Sequence, residues 1–89
     1  MTSRATPRFW KAFSELPAEV QDEAREAYRM FGSNPGHPSL RFKKIHTDRP
    51  IYSARINLQY RVLGVVERDT VVWFWVGNHD DYDRLLKTL

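Results

Sequence analysis

The chain has 89 residues, with 14 lysines and arginines against 11 aspartates and glutamates, and no cysteine. That length allows one domain near the lower limit for a self-sufficient core, and the lack of thiols excludes a disulfide scaffold or a thiolate metal site. No apolar run approaches the ~18 residues of a membrane span, and the opening MTSRATPRFW lacks the stretch of a secretion signal, so a cytoplasmic setting away from membranes is expected.

Packing must supply the stability, and three Trp, five Phe and four Tyr offer large apolar faces for so short a chain. Thr6-Pro7 marks a helix start, with Thr6 as cap and Pro7 at the first helical position. Phe9, Phe13 and Leu16 follow at helical spacing. From Pro17 the apolar positions Val20, Ala24, Ala27, Tyr28 and Phe31 define a second amphipathic helix, its acids early and an arginine late. Gly32 is expected to stop it, and Ser33 to Pro38 reads as loop.

The period then changes. Leu40 to Ile45 reads as a short strand and His46 to Pro50 as a turn. Ile51 to Ile56 is a strand with Tyr52, Ala54 and Ile56 on one face, Ser53 and Arg55 on the other. Asn57-Leu58-Gln59 turns the chain into a strand from Tyr60 to Glu67. Arg68-Asp69 leads into Thr70 to Val76, which is apolar on both faces and so central. A two-residue turn there sets Glu67 opposite Thr70, Val65 opposite Val72 and Arg61 opposite Val76. Asn78 is the N-cap candidate for a short last helix with Asp80 and Asp81 in its first turn. The expectation is a single α+β domain over residues 1–89. Two N-terminal helices pack on a mainly antiparallel sheet of three to four strands, and a short C-terminal helix follows.

Charge is unevenly placed. From Leu40 to Arg61 there are six basic residues (Arg41, Lys43, Lys44, Arg49, Arg55 and Arg61) and one acid, Asp48. Such a local excess fits a polyanion or an acidic protein surface. Arg61 at the start of one strand and His79 just past the end of the next meet at one sheet edge, an arrangement suited to a phosphate-bearing ligand. The three histidines have no recognised ligand spacing, so neither metal nor cofactor is expected.

The stretch Asn34-Pro35-Gly36-His37-Pro38-Ser39-Leu40-Arg41-Phe42-Lys43-Lys44-Ile45 resembles the middle of the RelE/ParE toxin superfamily of bacterial type II toxin–antitoxin systems. So do Tyr52-Ser53-Ala54-Arg55-Ile56, Tyr60-Arg61-Val62 and the closing Val76-Gly77-Asn78-His79-Asp80-Asp81-Tyr82. The likeness runs from about Thr6 to Leu86 and rests on the order and spacing of elements, since no single motif is diagnostic. It implies a sheet with two helices on one face and a concave basic face opposite. RelE-like members cleave mRNA, usually on the ribosome; ParE-like members inhibit DNA gyrase without hydrolysis. Both are held by a separately encoded antitoxin.

On that resemblance Arg55 takes the family's basic strand position, Arg61 the arginine of its Tyr-Arg pair, His79 the general-acid position and Tyr82 the C-terminal aromatic. The expected enzyme is a metal-independent endoribonuclease. Arg55 and Arg61 neutralise the phosphorane, His79 protonates the leaving 5′-oxygen, and Tyr82 stacks on a base. Arg41, Lys43, Lys44 and His46 are the candidate RNA contacts, with Lys43, Lys44 and His46 also weak candidates for the base. The chain departs from the family twice. Only Met1 to Ala5 is available for the family's opening strand. The glutamate that some members use as general base has no counterpart between Lys43 and Asp48, which leaves the base open. The competing readings are a ParE-like gyrase inhibitor and an inactive relative that only binds its antitoxin.

Overall fold

The computed structural model describes residues 1–89. It is an α+β fold of five strands and three helices: β1 (Thr2–Ala5), α1 (Pro7–Ser14), α2 (Ala18–Ser33), β2 (Lys43–Lys44), β3 (Ile51–Arg55), β4 (Tyr60–Glu67), β5 (Thr70–Asn78) and α3 (His79–Leu86). The sheet order is β1-β5-β4-β3-β2, antiparallel except where β1 runs parallel to β5. No helix is long and apolar enough to cross a membrane.

The strand count exceeds the expected three to four because Thr2–Ala5 does pair. Thr2 N–H donates to Asp69 O (2.8 Å) and Thr6 N–H to Trp73 O (3.0 Å), which zips the N-terminus onto the outer edge of β5. The expected strand from Leu40 shrinks to Lys43–Lys44. Pro38–Leu40 instead forms a 3-10 turn, started by His37 Nδ1 accepting from Ser39 N–H at 3.2 Å. Arg41 then leaves that turn in the left-handed region at φ 46°.

Thr6 caps α1 by accepting from Phe9 N–H at 3.1 Å. Gln21 Nε2 donates to Leu16 O (3.0 Å), satisfying a carbonyl at the corner between α1 and α2. Gly32 does not stop α2, which continues to Ser33 before Asn34; nothing presses on Gly32, so one helical glycine costs about 1 kcal/mol and no more.

Cross-strand partners share a sheet face, so the register sorts the side chains. Ala54, Val62 and Val76 lie on one face with Val71 and Trp73, and there they meet Phe9, Phe13 and Phe31 of the two helices. Phe31 is 2% exposed and packs edge-on to Trp73 at 5.4 Å; truncating such a ring typically costs about 3–5 kcal/mol. On the other face run the rows Ile51–Val65–Val72, Ser53–Leu63–Trp75 and Arg55–Arg61–Gly77.

A β-bulge makes this division work. Leu63 faces Trp75 while Gly64 faces Trp73, which leaves Phe74 as an extra residue on β5. Without it Trp73 and Trp75 would point to the same side. With it, Trp73 enters the helix-side core and Trp75 lies on the opposite face. The Arg68-Asp69 turn and the pairs Glu67–Thr70 and Val65–Val72 are as expected, but the bulge moves Arg61 from Val76 to Gly77. Gly64 is required beside it, since a Cβ there would stand 2.7 Å from both Trp73 and Val71 side chains.

Candidate active site

Arg55 and Arg61 are direct cross-strand partners at the end of the sheet. The turn that joins their strands is built on Asn57, whose Oδ1 accepts from Gln59 N–H (2.8 Å) and Tyr60 N–H (2.9 Å). Asn57 Nδ2 also donates to Glu23 of α2 at 3.2 Å. Arg61 is then held by its own turn: Nη1 donates to Asn57 O (2.7 Å) and Tyr60 O (3.1 Å). Arg55 bends round the edge of β3 that the short β2 leaves free, and its Nε donates to Ser39 O at 3.2 Å.

Neither arginine has a carboxylate within ion-pair distance. Like charges directly opposite each other destabilise a sheet, and the strain registers on Arg61. Its guanidinium is pushed below its ordinary value, first by burial and then by repulsion from Arg55. Arg41 pushes the same way, while Tyr82 and Asp83 oppose. Arg41 is itself an exposed, non-glycine residue at positive φ, a conformation that costs about 1–2 kcal/mol. Arg55 and Arg61 have only backbone carbonyls as side-chain partners, and Arg41 adds a third cation whose charge acts on Arg61, so the cluster has guanidinium N–H groups to offer an anion.

The other half of the site comes from α3. Asn78 ends β5 and caps the helix, its Oδ1 accepting from Asp81 N–H at 2.8 Å. Because Tyr60 faces Asn78 in the ladder, α3 starts beside the arginines. His79, the first helical residue, is half exposed and pairs through Nδ1 with Asp83 Oδ2 at 3.1 Å. Tyr82 is 8% exposed, its ring 6.3 Å from Trp75 and 6.2 Å from His79. It therefore clamps α3 to the sheet rather than standing free to stack on a base. Gly77 allows Trp75 to lie flat under this clamp.

The remaining candidates divide. Lys43 faces Ser53, on the same side as the arginines, whereas Lys44 faces Tyr52 on the helix side; both are exposed at the sheet edge. His46 is engaged within the chain at both ring nitrogens. Nδ1 accepts from Asp48 N–H (3.1 Å) and Arg49 N–H (3.0 Å), which leaves Nε2–H to donate to Leu89 O at 3.0 Å. It ties the C-terminal residue to the turn before β3, so neither nitrogen is free to contact RNA or act as the base. Asp83 was not among the residues singled out from sequence, although its spacing of four from His79 is a readable signal on a helix.

A second surface lies on the helix side. A cleft of about 290 Å³ opens between α1, α2 and the sheet, lined mainly by apolar side chains and by Arg4, Arg25 and Arg55. Trp10 (55% exposed) and Tyr28 (59% exposed) stand on its walls.

The fold recurs in solved structures. The RelB-RelE antitoxin-toxin complex from Methanococcus jannaschii matches with a TM-score of 0.73 at 19% identity, covering 91% of this chain and 96% of that one. The toxin-antitoxin complex RelBE2 from Mycobacterium tuberculosis matches at 0.70 and 23%, covering 88% and 96%. The YoeB/ParE toxin from Agrobacterium tumefaciens matches at 0.69 and 15%, covering 89% and 99%. Among curated proteins no relative matches. The family model of the ParE-like toxin domain matches residues 18–84, which include Arg41, Arg55, Arg61, His79, Tyr82 and Asp83. The chain belongs to the ParE-like toxin domain family.

Proposed function

We propose that this protein is the toxin of a type II toxin–antitoxin pair and acts in the cytoplasm as an mRNA endoribonuclease, on the ribosome or off it. The observation that carries the reading is the opposed pair Arg55–Arg61, without a carboxylate at ion-pair distance, at the end of the sheet where β5 runs into α3 and its exposed first residue His79. Cleavage of an RNA diester by its own 2′-hydroxyl needs charge neutralised on the phosphorane and a proton for the leaving 5′-oxygen. Two guanidiniums supply the first through their planar N–H forks. An imidazole supplies the second. The chemistry calls on no metal, and the product is a 2′,3′-cyclic phosphate. Arg41 and Lys43 extend the cationic surface along the backbone path.

An antitoxin is the partner this reading requires, and the apolar cleft supports it. A cleft of that composition, flanked by exposed Trp10 and Tyr28 and edged by arginines, suits an acidic amphipathic segment. Arg55 borders both the cleft and Arg61, so an occupant of one surface reaches the other.

The second reading is a gyrase inhibitor without hydrolytic activity. It is favoured by the description of the matching family model as ParE-like and by the burial of Tyr82, which removes one expected substrate contact. Primer-extension mapping of cellular mRNA after induction separates the two. Discrete new 5′ ends near codon boundaries, absent with Arg61→Ala, support the nuclease. DNA-damage signalling without such ends supports the gyrase reading.

A further inference from the structure

The ion pair between His79 and Asp83 runs the wrong way for helix stability. An imidazolium at the first position of a helix faces the positive end of the macrodipole, and pairs that place the acid after the base are the weaker orientation. In the same helix Asp81 and Arg84, 3.1 Å apart, follow the favourable order. With side chains 50% and 52% exposed, the His79–Asp83 contact contributes little to folding. Its geometry acts on the ring instead. The 3.1 Å contact is an ion-pair distance without aligned hydrogen-bond geometry, yet a carboxylate beside Nδ1 favours the tautomer with the proton on that nitrogen, which leaves Nε2 as the atom that exchanges one with a ligand. Asp83 is also the one carboxylate close enough to Arg61 to act on its charge.

We propose that Asp83 is the positioning residue for His79, fixing the ring with Nδ1–H on Asp83 and Nε2 towards the diester. This rests on the endoribonuclease reading. In the step it serves, the 2′-oxygen bonds to phosphorus and the bond from phosphorus to the 5′-oxygen breaks. The 2′-hydroxyl proton passes to water. The Nε2 proton passes to the 5′-oxygen, and the neutral ring keeps its Nδ1–H on Asp83 until solvent reprotonates Nε2.

The test uses the full chain labelled with ¹⁵N-histidine. Long-range ¹H–¹⁵N spectra, taken where the imidazole is neutral, should show His79 protonated at Nδ1 in the wild type. Asp83→Ala should move the proton to Nε2, and Asp83→Glu should restore it. In parallel, Asp83→Ala should lower kcat about 10- to 100-fold, less than the full value of a general acid, with KM unchanged and the circular dichroism spectrum intact. An unchanged tautomer in Asp83→Ala, or an unchanged kcat, overturns the proposal. A wild type that cuts no RNA removes the nuclease reading and the catalytic role with it; the tautomer exchange then still reports the pair, so the two failures are distinguishable.

Discussion

Replacing Gly77 with alanine drives a methyl group into the indole of Trp75. A Cβ on Gly77 would stand 2.6 Å from Cζ2 and 2.8 Å from Cη2 of that ring. Ordinary carbon–carbon contact is about 3.5–4.0 Å, so the indole has to move by roughly an ångström. It is held from above by Tyr82, and displacing it lifts the clamp on α3. Overpacking of this kind costs about 1–3 kcal/mol. Trimming the ring with Trp75→Leu destabilises by itself but removes the atoms that Gly77 avoids. In that background Gly77→Ala should cost less, giving a coupling of about 1–2 kcal/mol in a double-mutant cycle. Urea denaturation followed by circular dichroism measures all four proteins. If the two substitutions add within about 0.5 kcal/mol, Gly77 does not exist to seat the indole, and the account of how α3 is placed fails.

The arginine cluster predicts an anion effect. Because folding lowers the pKa of Arg61, its charge opposes folding at every pH below the folded value, and the penalty lifts only as pH rises through it. An anion relieves the same penalty at neutral pH. Sulfate at ten times its Kd should stabilise the protein by about 1.4 kcal/mol, and an equal shift in an Arg55→Ala/Arg61→Ala protein would contradict the assignment. His46→Ala breaks three hydrogen bonds and should cost about 1–3 kcal/mol. Limited proteolysis should then cut the C-terminal residues sooner; unchanged cutting refutes the tie to Leu89. On the proposed function, Trp10→Ser with Tyr28→Ser should weaken capture by a cognate antitoxin at least tenfold while RNA cleavage stays unchanged. Undiminished capture removes the cleft from the interface.

Where a structural cause was local, the sequence made it readable. Thr6 and Asn78 cap their helices as their positions announce, and the alternation in Ile51–Arg55 sorts Ala54 to the core and Arg55 to the opposite side. What was not legible depended on distant partners. Thr2–Ala5 is polar and too short to read as a strand, and forms one only because β5 offers an unpaired edge. The bulge at Phe74 hides within an apolar run that shows no period, yet it decides which of Trp73 and Trp75 enters the core. Leu40 to Ile45 alternates like a strand, but His37 and Pro38 impose a turn that carries Arg41 to the arginine cluster. His46 looked like a ligand contact because its real partner, Leu89, lies 43 residues away.

The most direct trial of the proposed nuclease uses one RNA oligonucleotide found to be cut in its presence and a copy with a single 2′-deoxy nucleotide on the 5′ side of the cut. In-line attack by the 2′-oxygen, with Arg55 and Arg61 bearing the charge, predicts that the copy binds as tightly and stays whole. A deoxy copy severed at the same bond would contradict the account.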